Sequence, residues 1–281
     1  MKIAVTGGAG FIGSHLADAL LAEGHEVRII DNGGSYAPKA AKLIKLDINS
    51  PELKKHFEGC ETVFHFAADP DVKGSAEKPE PSFRNNVLGT FNVLEACRNA
   101  SVKNIVFAST STVYGENVPV PTPETTPCAP ISNYAASKLA GEAYCQSYAS
   151  TYGLRVTILR YANVFGERAA RGVMRDFYLK LKKAPARLEI LGDGNQEKSY
   201  IYIADAVAAT LIAWKKQKNN CDAVGGYVPF HRLGAAGVGR YSLRRLVPAI
   251  DSFGLGYRAL FSGIGKRIPV LSAIQARPVR L

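Results

Sequence analysis

The chain has 281 residues, enough for one large core or a core with a smaller lobe, and it is 47% hydrophobic and 21% charged, as soluble globular proteins are. The net charge of +11 suggests nucleic acid, but residues 222–281 alone carry nine Lys/Arg against two Asp/Glu, so a global basic surface is not supported and no nucleic-acid partner is expected. No apolar run approaches the roughly 18 residues of a membrane span. Met1-Lys2 leads straight into a strand, with no room for a signal peptide. Five cysteines, an odd number without C-x-x-C spacing, argue against a disulfide framework or a metal site and for reduced thiols in the cytoplasm.

Up to about residue 160, short β-branched runs alternate with helical stretches. Strands are expected over 2–6, 26–30, 42–46, 62–66, 104–108 and 155–160, and helices over 11–23, 81–99 and 132–152. This is the pattern of an α/β protein with a Rossmann-type doubly wound parallel sheet. Residues 118–130 are too rich in proline for either element and form a loop. Beyond residue 160 the pattern changes to a basic helix over 173–183, short strands over 188–191 and 200–203, and a helix over 205–216.

Two motifs carry chemistry. Ile3-Ala4-Val5-Thr6-Gly7-Gly8-Ala9-Gly10-Phe11-Ile12-Gly13 is strand, glycine turn and helix start. Gly7 permits the tight turn, Gly10 lets backbone approach a pyrophosphate, and Gly13 lets the helix pack on the strand. The helix N-terminus at Phe11 and Ile12 offers free N–H groups to the anion. Asp31 closes the second strand eighteen residues after Gly13, where it accepts hydrogen bonds from ribose hydroxyls and repels a 2′-phosphate, favouring NAD over NADP. A plain strand-capping aspartate is the blander alternative. The second motif is Tyr134-Ala-Ala-Ser-Lys138, in which phenol and ammonium share one helix face. A nearby ammonium favours phenolate and makes Tyr134 a usable general base. The same spacing at Tyr178…Lys182 reads as the solvated face of a basic helix. Context separates the two: the strand before Tyr134 runs into Ser109-Thr110-Ser111-Thr112, hydroxyls at the carboxyl end of a central strand, where such sheets bind ligands.

With both motifs in place, the chain resembles the extended short-chain dehydrogenase/reductase superfamily, and within it the NAD-dependent epimerase/dehydratase family, archaeal UDP-glucose (UDP-galactose) 4-epimerases in particular. The resemblance runs from residue 1 to about 220. It rests on residues 6–14 (TGGAGFIGS), 63–68 (VFHFAA), 85–90 (NNVLGT), 109–115 (STSTVYG), 134–138 (YAASK), 160–166 (RYANVFG) and 191–194 (LGDG). It implies an NAD-binding domain over 1–165 containing catalytic Thr110, Tyr134 and Lys138, and the start of a smaller substrate-binding lobe over 166–220. Asp47 and Ile48 would flank the adenine, Phe66, Ala67 and Ala68 would line the cofactor, Asn86 would lie near the nicotinamide, Lys138 would also grip the nicotinamide ribose, and Asn32, Tyr134 and Tyr161 would complete the cofactor-binding set. The UDP-sugar substrate would meet Thr110, Asn163 at its diphosphate, and backbone at Glu189, Ile190 and Leu191 at its uracil. Lys198 stands where relatives often carry an arginine for the same phosphates; it supplies the charge without the bidentate fork.

The implied reaction is oxidation at the sugar C4 by a tightly held NAD, then return of the hydride to the opposite face. Related 4,6-dehydratases place Asp-Glu after the threonine; Ser111-Thr112 cannot act as that acid/base pair. A homodimer through the helices over 81–99 and 132–152 is the implied assembly. Another nucleotide-sugar enzyme, such as a decarboxylase or 4-ketoreductase, and a catalytically silent NAD-binding module remain alternatives.

Past residue 220 the pattern fails. The family continues with an Asn-Val-Gly strand, a helix and an Arg-x-Gly-Asp stretch, and none of these is evident; 225–234 is a faint echo. Residues 222–281 hold nine glycines, eight arginines and no glutamate. An out-of-frame reading of the gene and a divergent lobe that still folds are the two accounts of this atypical tail.

Overall fold

The computed structural model describes residues 1–119, 121–184, 188–191, 197–217, 221–225, 239–242 and 274–277. In chain order the elements are β1 (Lys2–Thr6), α1 (Phe11–Ala22), β2 (Glu26–Asp31), β3 (Lys42–Lys45), α2 (Leu53–Phe57), β4 (Thr62–His65), and the short turns α3 (Gly74–Glu77) and α4 (Glu80–Ser82). A π-helical stretch (Phe83–Leu88) leads into α5 (Gly89–Asn99), followed by β5 (Asn104–Thr110), a 3-10 turn (Ser111–Tyr114), α6 (Asn133–Tyr152) and β6 (Arg155–Tyr161). Then come β7 (Asn163–Phe165), α7 (Val173–Lys183), β8 (Leu188–Leu191), β9 (Glu197–Tyr202), α8 (Ile203–Lys216), β10 (Cys221–Gly225), β11 (Gly239–Ser242) and β12 (Ile274–Arg277).

The described residues fall into two compact units, one of Met1–Val164 and Ile203–Gly237, the other of Phe165–Tyr202 and Val238–Leu281. In the first, seven parallel strands run in the order β10-β6-β5-β4-β1-β2-β3. Ile3, Ala4 and Val5 of β1 are wholly buried, as a central strand covered on both faces requires. Helices α1 and α8 pack together, and α2, α5 and α6 share a core with the sheet through Phe57, Leu94, Phe107, Tyr148 and Ile158. Strand order reverses at β1, between β2 and β4. The resulting crevice at the strands' carboxyl ends is where a doubly wound sheet receives a ligand. In the second unit β11 pairs antiparallel with β9 and β12 parallel with β8, while the Phe165 ring meets Tyr200 and Tyr202.

Departures from expectation have local causes. The helix expected over 81–99 is interrupted by the π stretch, a feature frequent at functional sites. Strand β5 runs two residues beyond 108 because Ser109 and Thr110 pair with Arg160 and Tyr161. The strand expected over 200–203 begins at Glu197 and ends at Tyr202, with Ile203 opening α8. A strand does follow residue 220: β10, over Cys221–Gly225, pairs in parallel with β6. The echo over 226–234 and positions 192–194 lie outside the described residues. Among the described residues, no helix is long and apolar enough to cross a membrane.

Candidate active site

The glycine turn is shaped by contacts that only glycine allows. Gly7 has φ 68°, and a Cβ there would lie 2.5 Å from the Ala67 nitrogen; at Gly13 one would lie 2.2 Å from the Gly7 oxygen. The ladder of α1 begins with Ser14 N–H to Gly10 O, at 3.0 Å. The N–H groups of Phe11, Ile12 and Gly13 therefore lie ahead of the ladder, and with the helix dipole they favour an anion. Asp31 ties this turn to the second strand: one carboxylate oxygen accepts from Ala9 N–H (3.0 Å), the other from Gly33 N–H (2.9 Å) and Gly34 N–H (2.6 Å). A carboxylate offers about four lone-pair sites, so capacity for a hydroxyl remains.

Around the turn, the expected cofactor residues occupy the carboxyl edge of the sheet. The Asp47 carboxylate accepts from Asn32 Nδ2 (3.0 Å) and Asn49 N–H (2.8 Å), and that backbone bond leads the effects holding it below the usual carboxylate range. Ile48 is packed into the core cluster. Phe66, Ala67 and Ala68 follow β4; Phe66 N–H reaches Thr6 O, and its ring leans on Tyr161. Tyr161 is buried, with its hydroxyl 2.6 Å from that of Thr210. Asn86, inside the π stretch, uses its amide as a latch: Oδ1 accepts from Asp69 N–H, while Nδ2 donates to Asp69 O and Ser137 Oγ. Asn133 Nδ2 and Tyr134 N–H likewise bond to Ser75, so the loop after β4 is stapled to the start of α6.

Helix α6 starts at Ser132, whose hydroxyl accepts from Ala135 N–H (3.1 Å), a side-chain N-cap that fixes the first turn and with it Tyr134. The Thr110 hydroxyl accepts from Thr112 N–H (3.2 Å) and lies 3.0 Å from the Thr112 hydroxyl. Burial pushes the Tyr134 phenol up to about 12; the Thr110 side chain opposes this, and the Asp69 charge adds to it. The Lys138 ammonium donates to Ala108 O (2.8 Å) and sits 5.0 Å from the Phe107 ring centroid. Burial lowers Lys138 to about 8.

Asn163 is exposed on β7. Glu189, Ile190 and Leu191 lie on β8, where Lys180 Nζ donates to Glu189 O (2.8 Å), and Lys198 lies on β9. The side chains of Ile190, Leu191 and Lys198 are outside the described residues.

Comparison with known proteins decides the family. The model of the NAD dependent epimerase/dehydratase family matches residues 3–224. The chain belongs to this family. It is 41% identical over 229 residues to a Methanocaldococcus jannaschii protein provisionally named UDP-glucose 4-epimerase, a match covering 76% of this chain and 74% of that one. A UDP-N-acetyl-alpha-D-glucosaminuronate decarboxylase of Bacillus cytotoxicus is 35% identical over 233 residues, covering 76% and 71%. The Thermus thermophilus UDP-glucose 4-epimerase solved in complex with NAD superposes with a TM-score of 0.81 at 32% identity, covering 100% of this chain and 87% of that one.

NAD is the cofactor of the epimerase/dehydratase family, and the glycine cradle with its forward N–H groups fits a dinucleotide. The structure also shows residues to which the sequence assigned no role. His65 is wholly buried, 2.7 Å from Thr6 Oγ1 and 3.0 Å from Thr90 Oγ1. Thr90 gives its own proton to Asn86 O, so His65 Nε2–H donates to Thr90 and Nδ1 accepts from Thr6, an assignment made from the network. Burial, then the Lys138 charge, push the imidazole down to about 3. The neutral ring thus braces Thr6 at the entry to the glycine turn. The available signal was a histidine inside an otherwise apolar run, Val63-Phe64-His65-Phe66.

Proposed function

We propose that the chain is a UDP-hexose 4-epimerase acting on UDP-glucose and UDP-galactose. The observation that carries this reading is that the Thr110 side chain, at the carboxyl end of β5, lowers the buried Tyr134 phenol against its burial, beside a turn in which Ser111 and Thr112 supply no carboxylic acid. NAD, when bound in the glycine cradle, would supply the acceptor and donor for the C4 hydride. The chain's own part is the proton. Tyr134 takes the proton of the sugar 4-hydroxyl and gives it back, and Thr110 donates a hydrogen bond that favours the ionised phenol. A phenol held high is a strong base once ionised, so the reaction draws on the small ionised fraction. In this reading Asn163 and Lys198 hold the diphosphate and the backbone at Glu189–Leu191 meets the uracil. A second copy of the chain covers the α5–α6 face, where Phe91, Tyr144 and Tyr152 are exposed; a monomer mass by light scattering removes that part.

The likeness to a decarboxylase keeps a second reading in view, in which the same Thr/Tyr pair takes the C4 hydroxyl proton of a uronic-acid sugar while bound NAD would accept the hydride. Incubating the purified protein with UDP-galactose, with and without added NAD, separates the two. UDP-glucose formed with no net NADH is the expected result. No product from UDP-galactose but carbon dioxide from a UDP-uronic acid favours the decarboxylase, and inertness toward both with NAD bound leaves a silent NAD-binding module.

A further inference from the structure

Immediately behind Thr110 and Tyr134 lies an ion pair that the proposed chemistry does not use. Glu142 stands one helical turn after Lys138 on α6 and is only 1% exposed. Its carboxylate accepts from Ser109 Oγ and Arg160 Nε (3.0 Å) through one oxygen, and from Arg160 Nη2 (2.6 Å) through the other. Arg160, on β6, donates its third nitrogen to the Tyr114 hydroxyl (2.9 Å) and to Glu124 O (3.3 Å), and its guanidinium carbon sits 4.8 Å from the Tyr114 ring centroid. One buried charge pair therefore ties together the end of β5 at Ser109, the 3-10 turn at Tyr114, the proline-rich loop at Glu124, strand β6 and helix α6.

Such a pair is a poor source of net stability, since well-packed apolar side chains of similar volume often do as well or better. What it supplies is direction. Ser109 precedes Thr110 in the chain, and Tyr114 closes the turn that Thr110 caps. Tyr134 lies on the helix that carries Glu142. The strand end that carries Thr110 and the helix that carries Tyr134 are thus anchored to the same carboxylate–guanidinium pair, and a displacement of about 1 Å between reacting groups can cost roughly 100-fold in rate.

We propose that Glu142 and Arg160, with Ser109 and Tyr114, are positioning residues that hold Thr110 against Tyr134. The proposal rests on the reading of Thr110 and Tyr134 as the proton-handling groups. Its test has an arm that needs no substrate. Tyrosine labelled with 13C at Cζ gives a Tyr134 signal, identified by its loss in Tyr134→Phe, whose position at neutral pH reports the influence of the Thr110 side chain on the phenol; Thr110→Ala defines the position without that influence. The double variant Glu142→Leu/Arg160→Met removes both charges and keeps an apolar filling, while Ser109→Ala removes one hydroxyl and leaves the pair. Both are expected to move the signal toward its Thr110→Ala position and to keep NAD binding. In the kinetic arm kcat falls about 10- to 100-fold in the double variant, with KM within about twofold. A signal unmoved in Ser109→Ala and in the double variant overturns the proposal; should the double variant fail to fold, Ser109→Ala decides alone. Inactivity of the unsubstituted protein toward UDP-galactose counts against the epimerase reading, while the labelled-tyrosine arm still decides the positioning.

Discussion

The two ends of the same parallel sheet are built differently. At the carboxyl edge, polar groups are buried and held at short range: Thr6 and His65 at 2.7 Å, Lys138 and Ala108 O at 2.8 Å, and Arg160 and Glu142 at 2.6 Å. At the amino edge the charged groups are exposed: Lys2 and Arg28 lie 3.9 Å from Glu26, whose side chain is 56% exposed, and Lys215 and Glu23, 2.6 Å apart, are 50% and 33% exposed. A cleft of about 680 Å³ opens there among Met1, Glu23, His25, Asn104, Arg155 and Trp214. Burying a polar group is costly unless it is satisfied, so a dense set of satisfied buried groups marks where geometry matters. The contrast is what the proposed reading expects of a site at the carboxyl edge.

The most severe way to break that contrast is Tyr134→Phe. Loss of a general acid/base group costs roughly 10²- to 10⁴-fold in kcat. With the phenol held near 12, the ionised fraction grows as pH rises, so the wild-type rate is expected to climb between pH 7 and 9. Conversion of UDP-galactose across that range, with NAD content measured in the same preparations, checks both points. The variant should lose rate and pH slope while retaining NAD. Loss of NAD together with activity would instead make Tyr134 a cofactor-holding residue.

Much of this edge was legible in the sequence. Glycines at 7, 10 and 13, Asp31 and the Tyr134…Lys138 spacing are local signals, because a tight turn and a helix face are set by neighbours along the chain. The rest depends on residues far apart: Glu142 meets Ser109 33 positions away, and His65 joins Thr6 to Thr90 across 59 and 25 positions. A helical spacing also says nothing about contacts made with other strands: the Lys138 amine donates to a carbonyl 30 positions earlier in the chain. The π stretch at 83–88 escaped notice because its apolar pattern is that of an α-helix. Past residue 220 the first strand is short and was obscured by the change in composition that follows it.

An intermediate effect is expected from acid. The folded pKa of His65, about 3, lies below the ordinary imidazole value, so its contribution to stability is fully present at neutral pH. It is lost as pH falls from about 6.5 toward 3, because over that window the unfolded chain binds a proton that the folded chain excludes. Between pH 7 and 5 this group alone removes about 2 kcal/mol. Urea unfolding at the two pH values, compared with His65→Asn, isolates it: the variant should be less stable at pH 7 and lose less on acidification. Equal losses in both proteins would mean that the buried histidine is not what makes this edge acid-sensitive.

The smallest effect belongs to the amino edge. Lys215 and Glu23 approach to 2.6 Å, closer than many buried pairs, but their side chains are 50% and 33% exposed. Water and salt screen such a pair, and ordering two long side chains offsets much of the attraction, so Lys215→Met should change unfolding free energy by less than about 1 kcal/mol. Any change should shrink further in molar salt. A loss of several kcal/mol would mean that short distance alone makes an ion pair strong in this protein. The density of close contacts at the carboxyl edge would then say less about function, because the same closeness would carry comparable energy at an edge with no chemistry assigned to it.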